Sequence, residues 1–111
     1  MSRLNYDPFQ AIADNNRRQI LMMLSEKSLS INLLADQFDI SRPAVSKHIK
    51  VLEETGFISI RQEGRERLCE LNSAGFDAVR EWLTYYDQFW KRKLQNLEAL
   101  LEQRKKGKKG R

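Results

Sequence analysis

The sequence predicts a mainly α domain with one β-hairpin and a long closing helix. Three observations carry this. Apolar residues recur at helical spacing through the first half of the chain. A short stretch, Phe57 to Leu71, turns to aromatic and β-branched residues around Glu63-Gly64. From Phe76 to Leu101 apolar residues step by three and four in heptad-like fashion.

The elements follow in order. Asp7-Pro8-Phe9-Gln10 reads as a capped helix start, with Pro at the first helical position and Gln reaching back to the cap; this short helix ends near Ala13. Asp14 caps a second helix carrying Ile20, Leu21, Met23 and Leu24 and ending near Glu26. Lys27-Ser28-Leu29 is a break. Ser30 caps a short helix with Leu33, Leu34 and Phe38 on its apolar side, and Ser41 caps the next. Pro43 falls in that helix's first turn, where a missing N–H costs nothing. Val45, Ile49 and Leu52 mark its buried stripe, and Gly56 suits a left-handed end. The hairpin runs Phe57–Gln62 and Arg65–Leu71. Asn72 or Ser73 caps the last helix, which ends near Gln103.

Composition narrows the function. The chain has 111 residues, 41% hydrophobic and 32% charged, which fits one soluble globular domain over residues 1–103. No apolar run approaches the ~20 residues of a membrane span, and no secretory signal is visible, so a cytoplasmic protein is expected. The net charge of +5 is concentrated at the end. Residues 104–111 hold six basic side chains; without them 14 basic face 15 acidic groups. That tail, basic and glycine-containing, is expected to be disordered. Only a local gathering of cations can then suit nucleic acid, and residues 41–67 carry an excess of two. One His, one Cys and no glycine-rich phosphate loop leave no nucleophile–base pair, so no enzyme, cofactor or metal is expected.

Residues 30–54 have the pattern of a helix-turn-helix: two short helices, a tight turn, and small Ala35 where the helices cross. Asp39 stands at the turn position usually given to Gly. The second helix projects Arg42, Pro43, Ser46, Lys47 and Lys50 into one outward sector, suited to major-groove edges and flanking phosphates, and Ser41 at its cap joins the candidate DNA contacts. The hairpin adds Arg61, Arg65 and Arg67 as a wing. His48 has two readings, a partly packed ring that helps the helix pair fit, or a phosphate or base contact. Cys69 reads as a half-buried strand residue. The fold expected is a winged helix-turn-helix, and the partner expected is double-stranded DNA.

The segments Arg17-Arg18-Gln19-Ile20-Leu21, Leu34-Ala35-Asp36-Gln37-Phe38, Ser41 to Leu52, Gly56-Phe57-Ile58 and Glu63-Gly64-Arg65 resemble the ArsR-type winged-helix repressors. The resemblance implies a homodimer whose first and last helices pair, a recognition helix at residues 41–54, and an inverted-repeat operator. It also implies repression relieved by an unidentified small-molecule or protein effector. On that pairing the dimer interface takes Phe9 and Ile12, then Phe76, Val79, Trp82, Leu83, Tyr86, Phe89, Trp90, Leu94, Leu97 and Leu101 from the last helix. Metal-sensing members carry a cysteine pair in the first helix of the motif or Asp and His ligands on the last helix. Residues 31–38 hold no cysteine and the chain's one His is His48, so the resemblance is to a metal-free subset. The aromatic cluster Trp82 to Trp90 suits a dimer core or a pocket for a flat apolar effector. The alternative to a DNA-reading regulator is a winged-helix protein-interaction module, which would place acidic or apolar residues where Arg42, Lys47 and Arg65 stand.

Overall fold

The computed structural model describes residues 6–109. Its elements are α1 (Pro8–Ala11), α2 (Asn15–Leu24), β1 (Leu29–Ser30), α3 (Ile31–Asp36), α4 (Arg42–Glu54), β2 (Ile58–Glu63), β3 (Glu66–Leu71) and α5 (Ser73–Lys109). The predicted caps form. Asp7 and Gln10 make a reciprocal capping box, while Asp14, Ser30 and Ser41 each accept a backbone N–H from the first turn of the helix that follows. Each removes one of the unpaired donors that a helix start leaves. The described residues fall into two compact units that divide after Val79, with α5 running through both.

In the first unit, α2, α3 and α4 enclose Ile20, Leu34, Val45, Ile49 and Leu52, all essentially without solvent contact. Val51 is equally buried, which widens the expected stripe of α4. The sheet has three strands in the order β1-β3-β2, all antiparallel. The stretch read as a plain break therefore ends in a strand. Two residues are too short for a periodic signal, and Leu29 and Ser30 pair with Cys69 and Leu68. This makes β3 the central strand and buries Cys69 completely, not by half as expected. Burial pushes its thiol pKa up to about 11, so it stays protonated near neutrality.

Phe57 joins the parts of this unit. Its ring is fully buried and meets Phe76 of α5 edge-on at 4.9 Å. Its backbone N–H bonds to Leu52 of α4 at 2.9 Å, and its carbonyl accepts the N–H of Asn72 at 2.8 Å. Gly56 takes φ +86° and accepts the N–H of Gly75 at 2.8 Å. A Cβ built on Gly75 would lie 2.7 to 2.9 Å from three carbons of the Phe57 ring. Val79 and Ile12, expected at a dimer interface, are partly buried and pack against this domain's core as well.

In the second unit α5 continues through Arg104 to Lys109, where disorder was expected from residue 104. Lys and Arg have good intrinsic helix propensity. Gly110 and Arg111 lie outside the described residues. Among the described residues no helix is long and apolar enough to cross a membrane.

Gly75→Ala should destabilise the protein by about 1–3 kcal/mol, although alanine is the better helix former, because the Phe57 ring has no free space to yield. Urea unfolding followed by circular dichroism checks this. Stability equal to or above the parent's would show that the socket can relax.

Candidate nucleic-acid interface

The solvent face of α4 carries the predicted set. Ser41, Arg42, Pro43, Ser46, Lys47 and Lys50 are exposed, while Val45, Ile49 and Leu52 point into the core. A groove of about 220 Å³ lies between α4 and the sheet, and its walls include Ser46, Lys50, Ile60 and Arg67. The structure thus brings recognition-helix and wing cations to one surface. Glu53 also lines this groove, a carboxylate that the sequence pattern did not place there.

The cations are not equivalent. Arg42 donates to Asn32 Oδ1 and to Asp36 Oδ1, each at 2.9 Å, so it ties α4 back to α3 across the turn. The pair is well exposed, and such pairs contribute roughly 0–1 kcal/mol, little enough for a phosphate to compete. Arg61 is held by Glu63, with Glu70 at 3.5 Å. The hydrogen bond and charge of Glu63, with Glu70, raise its pKa further. Among the described residues Arg65 and Arg67 make no ion pair. Gly64 opens the hairpin turn at φ +62°, with nothing within 4 Å of where a Cβ would be, and it sets Arg65 at the tip.

His48 faces the other way. Its side chain is 18% exposed. Its Nδ1 lies 3.1 Å from Arg17 Nη1, and its Nε2 lies 3.9 Å from Asp14 Oδ2. Arg17 is 8% exposed and also donates from Nε to Ala11 O at 2.6 Å and from Nη2 to Gln10 O at 3.1 Å. The Tyr6 ring covers its guanidinium at 5.1 Å. Sequence reasoning missed this arginine. The signal was present, because Arg17 occupies the first place of the stripe Arg17, Ile20, Leu21, Leu24.

Burial lowers the His48 pKa, the Asp14 carboxylate opposes that, and Arg17 and Lys47 add to it. For Asp14, burial acts upward, but the Arg17 N–H and the charges of His48 and Arg17 outweigh it, and the net shift is down. The folded state therefore binds the His48 proton less readily than the unfolded chain. The stability from this group is full above its ordinary pKa of about 6.5 and is lost as pH falls through the lower folded value.

Residues 14–59 match the family model described as bacterial regulatory protein, arsR family. The chain is 37% identical over 94 residues to the HTH-type transcriptional regulator Rv2034 of Mycobacterium tuberculosis, covering 85% of each chain. The chain belongs to the ArsR family. It is also 31% identical over 75 residues to the transcriptional repressor SdpR of Bacillus subtilis, covering 68% of this chain and 83% of that protein. A crystal structure of an ArsR family transcriptional regulator superposes with a TM-score of 0.69 at 38% identity, covering 76% of this chain and 87% of that one. This ArsR protein is thus a winged helix-turn-helix transcriptional regulator, with α3 and α4 as the helix pair and β2–β3 as the wing.

Among the described residues of this ArsR protein, no group of His, Cys, Asp and Glu is placed to hold a metal ion. The two wing arginines on either side of the turn should separate in a binding assay. Arg65→Ala should weaken all DNA sequences about equally and lower the salt slope by about one counterion for each phosphate it no longer neutralises. Arg61→Ala should change the slope less, because Glu63 already neutralises that cation. Fluorescence anisotropy across a salt series measures both, and equal slopes for the two variants would refute the distinction.

Proposed function

We propose that the protein is a homodimeric repressor, acting in the cytoplasm, that binds an inverted-repeat operator through α4 and the wing and has no catalytic role. The observation that carries the reading is the shared groove, where Ser46 and Lys50 of the recognition helix face Arg67 of the wing. Ser41, Pro43, Ser46, Lys47 and Lys50 lie on the surface offered to the major groove, with Arg42 released from Asp36 to join them. Arg65 and Arg67 lie on the surface offered to phosphates. Repression follows the reading of SdpR, which is named a transcriptional repressor. Removing the protein should then raise transcription beside its operator, and a fall would make it an activator. The effector is left as a small molecule or protein of unassigned chemistry.

Lys47→Ala tests the recognition helix. Loss of a base-reading side chain should cost about 1–3 kcal/mol and relax sequence preference. Comparing the DNA sequences that parent and variant select from a random pool gives the answer. Identical selected sequences at parental affinity would remove Lys47 from the reading face.

The second copy is argued from α5. Trp82, Leu83, Tyr86, Trp90, Leu94, Leu97 and Leu101 are each at least 41% exposed. The apolar steps repeat every 11 residues: Leu83 with Leu94, Tyr86 with Leu97, Trp90 with Leu101. That period, about 3.67 residues per turn, keeps the stripe on one side of a nearly straight helix. A continuous apolar face of this length is rare on monomers. Pairing covers it and sets two recognition helices to read a palindrome. Trp90→Asp should give a monomer by sedimentation and abolish operator protection while helicity is retained. A monomer that still protects both half-sites would overturn the dimer reading.

A further inference from the structure

The contact between Arg17 and His48 constrains the proton on the histidine. A guanidinium offers only N–H donors. With Nη1 at 3.1 Å, His48 Nδ1 must therefore be the acceptor, so the ring is neutral and carries its proton on Nε2, toward Asp14. A second proton would land on Nδ1. It would set two donors and two positive charges against each other where one hydrogen bond stood.

This contact spans three elements. His48 belongs to the recognition helix α4 and Arg17 to α2, while the Ala11 and Gln10 carbonyls that fix Arg17 come from α1. The charged groups facing the ring are Arg17, Asp14 and, from its own helix, Lys47. Asp14 lies 3.9 Å from Nε2, on the side opposite Arg17, so its attraction for an imidazolium does not restore an acceptor for the guanidinium. The arginine is closed on every side by carbonyls, the tyrosine ring and the imidazole, so it has little room to retreat.

We propose that Arg17 is a positioning residue for DNA recognition: it anchors α4 through neutral His48, and protonation of that ring releases the anchor and weakens operator binding. The inference rests on the DNA-binding reading above. It assigns His48 a role opposite in sign to a phosphate contact. An imidazolium on a phosphate strengthens binding in acid, whereas this ring must stay neutral for the helix to be held. By linkage, His48 should then have a lower pKa in the operator complex than in the free protein. Each unit of that difference lowers affinity about tenfold once pH falls below both values.

His48 is the only histidine in the chain, so its ring signals need no assignment. NMR of the free protein should show the Nε2–H tautomer at pH 7.5, and titration with and without a duplex selected from random sequence should show the pKa falling on binding. Anisotropy at pH 7.5 and 5.5 should show the parent losing affinity in acid. His48→Asn keeps an acceptor near the Nδ1 position and cannot take up a proton there, so it should bind at pH 7.5 within a few-fold of the parent and lose less in acid. Arg17→Lys, which keeps the charge but not the fork, should bind weakly at both pH values. An Nδ1–H tautomer, a pKa that rises on binding, or an equal acid loss in His48→Asn would overturn this role while leaving operator binding at pH 7.5 intact. A parent protein that binds no DNA at pH 7.5 would instead overturn the DNA-binding reading, and this inference with it.

Discussion

The winged domain depends on Phe57 being buried where three elements meet. The ring has to sit beneath the end of α4, the start of β2 and the first turn of α5. That requirement explains the glycines on either side. Gly56 turns the chain out of α4 at φ +86°, and Gly75 leaves the space the ring occupies. Once Phe57 is seated, its N–H closes the end of α4 and its carbonyl receives Asn72. The wing then cannot pivot on the recognition helix without emptying the socket. A DNA-binding surface split between α4 and the hairpin needs that rigidity, because contacts from two elements add only if their spacing is fixed.

The charged residues divide by whether they already have work within the domain. Arg17 is buried and fully engaged, Arg42 is shared between Asn32 and Asp36, and Arg61 is held by wing carboxylates. Lys47, Lys50, Arg65 and Arg67 remain exposed. The body of the protein carries almost no net charge, so its attraction for DNA must come from this sorting and not from total charge. Acidic partners sit beside Arg42 and Arg61, while Glu53 is the one carboxylate lining the groove that Lys50 and Arg67 share.

Most of the fold was legible in the sequence because local chemistry and burial agreed. Asp7, Asp14, Ser30 and Ser41 cap the helices they precede, and Val45, Ile49 and Leu52 are core. The departures have physical causes. Strand β1 is two residues long and exists only through pairing with β3, so no periodicity could announce it. The helical state of residues 104–109 was hidden by composition, since a run of cations reads as a tail unless the preceding helix is long enough to extend into it. At the interface, the exposed face of α4 was readable from helical geometry, but the partners of Arg42 and Arg61 were not. Arg42's depends on where α3 places Asp36, and Arg61 is shared between Glu63 of its own strand and Glu70, which β3 brings alongside. Arg17 was the clearest omission, a charged residue at an apolar position whose partners come from residues as far away as His48.

The order of the chain also explains why the recognition helix can respond to its surroundings. A helix of 13 residues held only by an apolar stripe would have a fixed depth but a weakly fixed rotation, since aliphatic contacts are not directional. Polar contacts supply direction. On one edge of α4, Arg42 reaches α3 through an exposed pair that solvent and phosphate can replace. On another, His48 meets a buried arginine that nothing in solvent can replace, and that arginine is anchored to α1. The exposed link is suited to exchange for DNA when it arrives. The buried link sets the angle at which α4 waits, and its donor and acceptor roles change when His48 takes up a single proton. Orientation of the reading surface is therefore tied to α1 and α2 through one side chain, whereas its depth is set by the core.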